Sequence, residues 1–423
     1  MRLRRWSALL VLVFLVAFVV RGYGLGFPLY HLDENTDFGN AFYASFHHLA
    51  MPAYNHGSFF IYVMMLVWDV YLALNGIQWS TPNVLLAFLR EPMPLVIWAR
   101  GLGVLAGTGT VVAIYFLGRR LYGRVVGLLA AFFLALMFLH VSESHYARSH
   151  VLAVFFIVLA LYFCARILDE GSTRDYVGAG VSLGLATAAQ YSAILTLVAL
   201  IVAHAARVWR QWRNWRLHRS LLFGLDSSAL AFFVVTPYAL LDFQNFVGEM
   251  KWWLSHELSR TWVSPEGQPV LFFYLREHLG NGMGLALLGV ALTGVIYALF
   301  RHRWQDGLWL TFIIPLFIAD VDHCVSPKRN RASHLVGRNR HRLGLPDMGC
   351  NMSPRTHVRA GFEHCADLGA VSALIGLRSH SGAVAVAGVC MGVEWAAELD
   401  RTEFADAGVE SAHRFLGDCD VVP

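Results

Sequence analysis

Charge is what this sequence has least of: Asp, Glu, Lys and Arg make up 15% of its 423 residues, against 57% hydrophobic ones. A soluble domain carries roughly a quarter charged residues, so the deficit excludes an ordinary soluble chain. With a mean hydropathy of +0.50, the composition is that of an integral membrane protein, and its 13 Trp and 29 Phe suit lipid and interface contacts. The net charge of +4 is too small to argue for nucleic acid, and the arginine clusters sit between apolar runs, where orientation in a bilayer accounts for them. No nucleic-acid partner is expected. A small-x-small cleavage site is also missing after the apolar stretch 6–20, although Arg2, Arg4 and Arg5 precede it as in a signal peptide. With many apolar runs following, that stretch reads as a first transmembrane helix reaching about Tyr23, its basic end in the cytoplasm.

Apolar runs follow at 58–76, 94–117, 124–141, 149–167, 176–206, 220–240, 282–300 and 307–320. If 58–76 crossed the bilayer, Arg119, Arg120 and Arg124 would fall on the side opposite Arg2, Arg4 and Arg5. Laid along the surface, it returns them to the cytoplasm; Asp69 interrupts the run, and Tyr62, Trp68 and Tyr71 suit an interfacial helix. Residues 22–93 therefore read as one large external loop bearing juxtamembrane helices. The same reasoning splits 176–206 near Gln190 and Tyr191, since arginines flank it on both sides. The expected fold is all-α and polytopic, with about nine transmembrane helices through residue 320. Acids and histidines then gather on the outer face: Asp33, Glu34, Asp37, Glu143, His145, Asp242, Glu249, His256 and Glu257.

Several stretches in this order carry a resemblance. After the first span an outer loop opens with Asp33-Glu34; a later span ends Phe116-Leu117-Gly118-Arg119-Arg120-Leu121-Tyr122-Gly123. Ala147-Arg148-Ser149-His150 begins a stretch like "ARxDxxLxFF", and Thr236-Pro237-Tyr238-Ala239-Leu240-Leu241-Asp242 is like "TPYxLLD". Residues 1–320 thereby resemble the polytopic glycosyltransferases of the GT-C type, nearest to the protein O-mannosyltransferase and aminoarabinose transferase group (glycosyltransferase family 39-like). The resemblance implies an enzyme of the plasma membrane that takes a sugar from a polyprenyl-phosphate carrier. It delivers the sugar to a lipid, glycan or protein acceptor on the outer face.

The resemblance also implies roles. Asp33 would be the general base for the acceptor hydroxyl, with Glu34 orienting the loop or acceptor; the alternative is that Asp33 caps a helix beginning near Thr36. Arg148 would meet the departing lipid phosphate, or else snorkel at the interface. His150 stands where the motif has an acid. Tyr54 and His56 sit where relatives carry a substrate motif whose lysine is missing here, and Arg100 joins them as a candidate substrate contact. Gln190 stands where many relatives have Lys. The residues name no certain cofactor; a divalent metal on His31, Asp33, His145 and His150 is conceivable from ligand type, but no His-x-x-x-His or His-Glu-x-x-His spacing supports it. The stretch 209–219, with Trp209, Trp212 and Trp215 among arginines, reads as an interfacial cytoplasmic helix facing anionic lipid.

Residues 323–423 do not match 1–322. Five of the six cysteines, closely packed arginines and histidines, and only one poor apolar run occur there. No Cys-x-x-Cys pair suggests zinc, and the periodicity of a folded outer domain is faint. A shift of reading frame near residue 320, giving a disordered tail, explains the change in composition, with an inactive truncated glycosyltransferase as the alternative to an active one. A transporter or flippase of a lipid-linked substrate is the competing function class, but transporters keep ionisable groups near the bilayer midplane, whereas here they gather in outer loops.

Overall fold

The computed structural model describes residues 2–27, 31–52, 54, 57–77, 81–259, 262–263, 270–301, 303–322 and 324–325. His56 and the tail beyond residue 325 lie outside the described residues. What is described is helical apart from one two-residue parallel ladder, Trp262–Val263 with Cys324–Val325.

The first half runs α1 (Arg2–Gly22), α2 (Leu32–Phe46), α3 (Ser58–Leu74), α4 (Thr81–Arg90), α5 (Pro92–Tyr122), α6 (Arg124–Leu136), α7 (Phe138–Glu143) and α8 (Ser149–Asp169). The second half runs α9 (Thr173–Ala189), α10 (Thr196–Val208), α11 (Trp215–Val235), α12 (Tyr238–Leu241), α13 (Phe243–Ser259), α14 (Val270–Phe273), α15 (Asn281–Met283), α16 (Leu285–Arg301) and α17 (Trp304–Asp322). Among the described residues, four helices are long and apolar enough to cross a bilayer: Pro92–Tyr122, Ser149–Asp169, Tyr191–Gln211 and Leu217–Val235. The bent pair Tyr274–Met283 and Leu285–Arg301 would make a fifth. The chain is thus polytopic; among the described residues length and hydropathy give four or five spans, with shorter apolar helices at Trp6–Gly22, Ser58–Leu74 and Arg124–Leu136. One run expected to be continuous is broken, and another breaks where its flanking arginines predict. The run 124–141 is interrupted at Met137, and 176–206 breaks at Gln190, whose extended backbone (φ −147°, ψ 117°) ends α9.

Small residues let the helices approach. Gly180 and Gly184 place the α9 backbone so near α11 that a Cβ at either would overlap a carbonyl oxygen, of Gly224 and Ser228 respectively, the small-xxx-small packing of membrane helices. Gly123 (φ +95°) takes a conformation that costs other residues dearly, so α6 folds straight back along α5. A Cβ on Gly118 would sit 2.9 Å from the Gly127 Cα.

The break at Met137 leaves the last carbonyls of α6 short of backbone donors, the Met137 N–H reaching only the Leu134 carbonyl at 3.4 Å. Arg21, fully buried at the end of α1, supplies donors: Nη1 to the Ala135 carbonyl (3.0 Å), and Nη2 to the Leu134 carbonyl (3.0 Å) and to His140 Nδ1 (3.0 Å). This fixes α7 and the turn after it, which carries Arg148. On the same end, α2, α3 and α4 pack around Trp68, which is fully buried, stacked on Phe42, and donates from Nε1 to the Leu95 carbonyl at the start of α5 (3.0 Å). Trp68 was expected at the membrane interface; it anchors the helix inward instead, because the Leu95 carbonyl satisfies its indole N–H in the core.

Candidate active site

The site is built at the N-terminus of α2. His31 is the N-cap, its Nδ1 accepting from the Asp33 N–H (3.2 Å), while Glu34 Oε2 accepts from the His31 N–H (3.0 Å). This is a capping box with histidine in the usual place of Ser or Thr. The helix therefore starts at Leu32, not near Thr36, and Asp33 is not its cap. Both acids lie in the first turn, where the helix dipole favours them.

Successive side chains on a helix diverge by about 100°, and the two acids have different surroundings. Glu34 is fully buried, and its Oε1 accepts from Arg100 Nε (2.9 Å) and the Ala147 N–H (2.7 Å). Its Oε2 takes Arg100 Nη2 (2.8 Å), and Arg100, also buried, gives Nη1 to the Leu25 carbonyl (2.7 Å). One carboxylate thereby joins α2, α5 and the turn before α8. Asp33 keeps 34% of its side chain exposed.

Asp33 Oδ2 accepts from Nη2 of Arg148, the N-cap residue of α8. Arg148 Nη1 donates to both Glu143 oxygens (3.0 and 3.3 Å), and His150 Nε2 lies 3.5 Å from Arg148 Nη2. Only 13% of the Arg148 side chain is exposed, and its Nε is buried without a hydrogen-bond partner. Tyr146 closes one side, its ring under the Arg100 guanidinium (5.6 Å) and edge-on to His31 (5.4 Å). Ser149 Oγ lies 3.4 Å from Gln190 Oε1.

The fold thus brings together Asp33, Arg148 and His150, with Glu34 and Arg100 as a buried pair beneath them. Tyr54 is placed differently. It is buried, donates to Asp242 Oδ2 (3.2 Å) and packs edge-on to Phe246 of α13. Burial, then the neighbouring Asp242 carboxylate, push its phenol well above the usual range, so it stays a donor. Glu143 and Tyr146 were not among the site residues read from sequence. Glu143, an outer-face acid five residues before Arg148, was the available signal. Among the described residues no group of three His, Cys, Asp or Glu side chains could hold a metal ion.

Residues 97–241, which include Arg100, Glu143, Arg148 and Gln190, match the model of the dolichyl-phosphate-mannose-protein mannosyltransferase family. Comparison with curated proteins gives no match. Among solved structures, the Archaeoglobus fulgidus oligosaccharyltransferase tethered to an acceptor peptide is similar at 14% identity and a TM-score of 0.50, over 75% of this chain and 47% of that one. The Saccharomyces cerevisiae protein O-mannosyltransferase Pmt1–Pmt2 complex bound to the sugar donor aligns at 17% identity and a TM-score of 0.46, over 57% of this chain and 34% of that one. The chain spans about half the length, or less, of these structures. Its fold is similar to that of the archaeal oligosaccharyltransferase, and its central segment is similar to the dolichyl-phosphate-mannose-protein mannosyltransferases.

Proposed function

We propose that this chain is a membrane glycosyltransferase that moves a sugar from a polyprenyl-phosphate donor to a hydroxyl-bearing acceptor on the outer membrane face, with Asp33 as general base. The observation that carries this reading is the meeting of Asp33 and Arg148, 115 residues apart in sequence, at one end of the bundle. A group able to take a proton and a group able to receive a phosphate stand side by side.

In the reaction the acceptor oxygen bonds to the anomeric carbon, its proton passes to Asp33, and the bond from that carbon to the phosphate oxygen breaks, leaving the electron pair on phosphate. Arg148 faces that charge in a largely water-excluded setting, where a fixed guanidinium is most effective. Before the donor arrives, Asp33 and Arg148 hold each other. A phosphate that draws Nη2 away frees Asp33 Oδ2 to accept from the acceptor hydroxyl, and Glu143 keeps Arg148 in place during the exchange. The hydrogen bond given up is of the charged kind, about 1.5–3 kcal/mol, and the new one to phosphate offsets it. Glu34 and Arg100 position Asp33 by fixing its helix turn.

The reading is tested by incubating membranes containing the chain with a panel of polyprenyl-phosphate sugars and following the label. Appearance of labelled acceptor from at least one donor is expected; intact donor throughout the panel, or carrier translocated without sugar transfer, would overturn it.

A further inference from the structure

The end of the bundle opposite Asp33 carries two sets of arginines in different situations. One set is neutralised. Arg120 meets Asp169 (2.9 Å) and Glu170 (2.7 Å), and Arg166 meets Glu170 (3.2 Å) and Asp175 (2.7 Å), tying the ends of α5, α8 and α9. The other set, Arg210 and Arg213 on the turn from α10 to α11 and Arg219 in the first turns of α11, makes no ion pair among the described residues.

That turn is not the continuous helix its sequence suggests. A short 3-10 segment, Trp209–Gln211, leads into a tight turn before α11. Trp209, Trp212 and Trp215 stand 70%, 63% and 66% exposed. Arg213 lies over the Trp212 ring (5.4 Å) and Arg219 over the Trp215 ring (5.7 Å). Trp209 also packs against the half-exposed Trp304 (6.4 Å) of the neighbouring turn. An open recess of about 390 Å³ lies among Arg210, Gln211, Trp212, Arg213 and Asn214.

The turn is held in shape from within. The Trp212 carbonyl accepts from His218 Nε2 (2.7 Å), His218 Nδ1 accepts from His204 Nε2 (2.9 Å), and His204 Nδ1 accepts from the Tyr176 hydroxyl (2.8 Å). Because a carbonyl only accepts, His218 Nε2 carries a proton, and links that all run in this one direction anchor the turn to α9 and α10.

We infer that this turn is a binding site for anionic phospholipid headgroups of the leaflet on its side of the membrane. Three unpaired guanidiniums supply donors that match phosphate oxygens, tryptophan rings suit the headgroup level, and the histidine chain fixes both ahead of binding. The contrast with Arg120 and Arg166 separates this site from a general surplus of positive charge. At Arg120 and Arg166 the fold supplies carboxylates, and here, among the described residues, it presents arginines with none.

The test uses the full chain reconstituted in phosphatidylcholine, with spin-labelled phosphatidylglycerol or spin-labelled phosphatidylcholine as the reporter of lipid held at the protein. The chain should prefer phosphatidylglycerol by at least about threefold at low salt, with the preference lost in high salt and in the R210Q/R213Q/R219Q variant. Equal retention of the two lipids by the unmodified chain, or a preference that survives the triple substitution, would overturn the inference. Should the variant fail to fold, the salt titration of the unmodified chain decides: a preference that persists in high salt contradicts an arginine–phosphate origin.

Discussion

Asp33 and Glu34 are neighbours in sequence with separate tasks. Glu34 accepts four hydrogen bonds and is fully buried. Replacing it by Gln leaves Arg100 charged and unpaired, a change worth about 3–5 kcal/mol in buried pairs. Glu34→Gln should therefore lower thermal stability in detergent, and E34Q/R100Q should recover part of the loss; equal stability of wild type and E34Q would show the pair to be dispensable. Glu143 holds Arg148 independently of Asp33, so Glu143→Gln should raise the KM for the donor several-fold while changing kcat less, measured in initial-rate assays. The sequence made Asp33 and Arg148 legible because each falls in a motif. Glu34's burial was not legible, since it depends on Arg100 arriving from α5 and Ala147 from the turn before α8. The N-cap was missed because His31 is an unusual capping residue and Asp33, a usual one, stands two positions later.

At the scale of helices, arginine placement and hydropathy located the turn at Gln190 well, because both flanks of the run are basic and one bilayer crossing could not satisfy both. Length was harder to read. A break such as Met137 leaves hydropathy unchanged and shows only where backbone carbonyls turn to Arg21. Trp68 misled for a related reason: aromatic residues suit both an interface and a core, and only the partner carbonyl of Leu95 decides. Close approach of α9 and α11 depends on Gly180 and Gly184. Gly180→Leu should force the pair apart, lowering thermal stability by several degrees and yield in membranes; an unchanged melting curve would mean the contact contributes little.

For the molecule as a whole, the central observation is polarity. The bundle carries Asp33, Glu143, Arg148 and His150 at one end, and ion-paired and exposed arginines at the other. The 21-residue α8 connects the two ends over about 31 Å, close to the ~30 Å hydrocarbon thickness of a bilayer. Residues 326–423 lie outside the described residues, and we propose that their composition reflects a shifted reading frame near residue 320. Translating the coding DNA in the other two frames beyond that codon should yield further apolar spans; if neither frame does, the proposal fails.

The most direct measurement of the account is sugar transfer by Asp33→Asn, assayed beside binding of the same polyprenyl-phosphate sugar. The substitution keeps the side-chain shape and removes the proton acceptor, so transfer should fall by about 10²–10⁴-fold while donor binding stays within a few-fold of wild type. Undiminished transfer by the variant would contradict the assignment of Asp33 as the base.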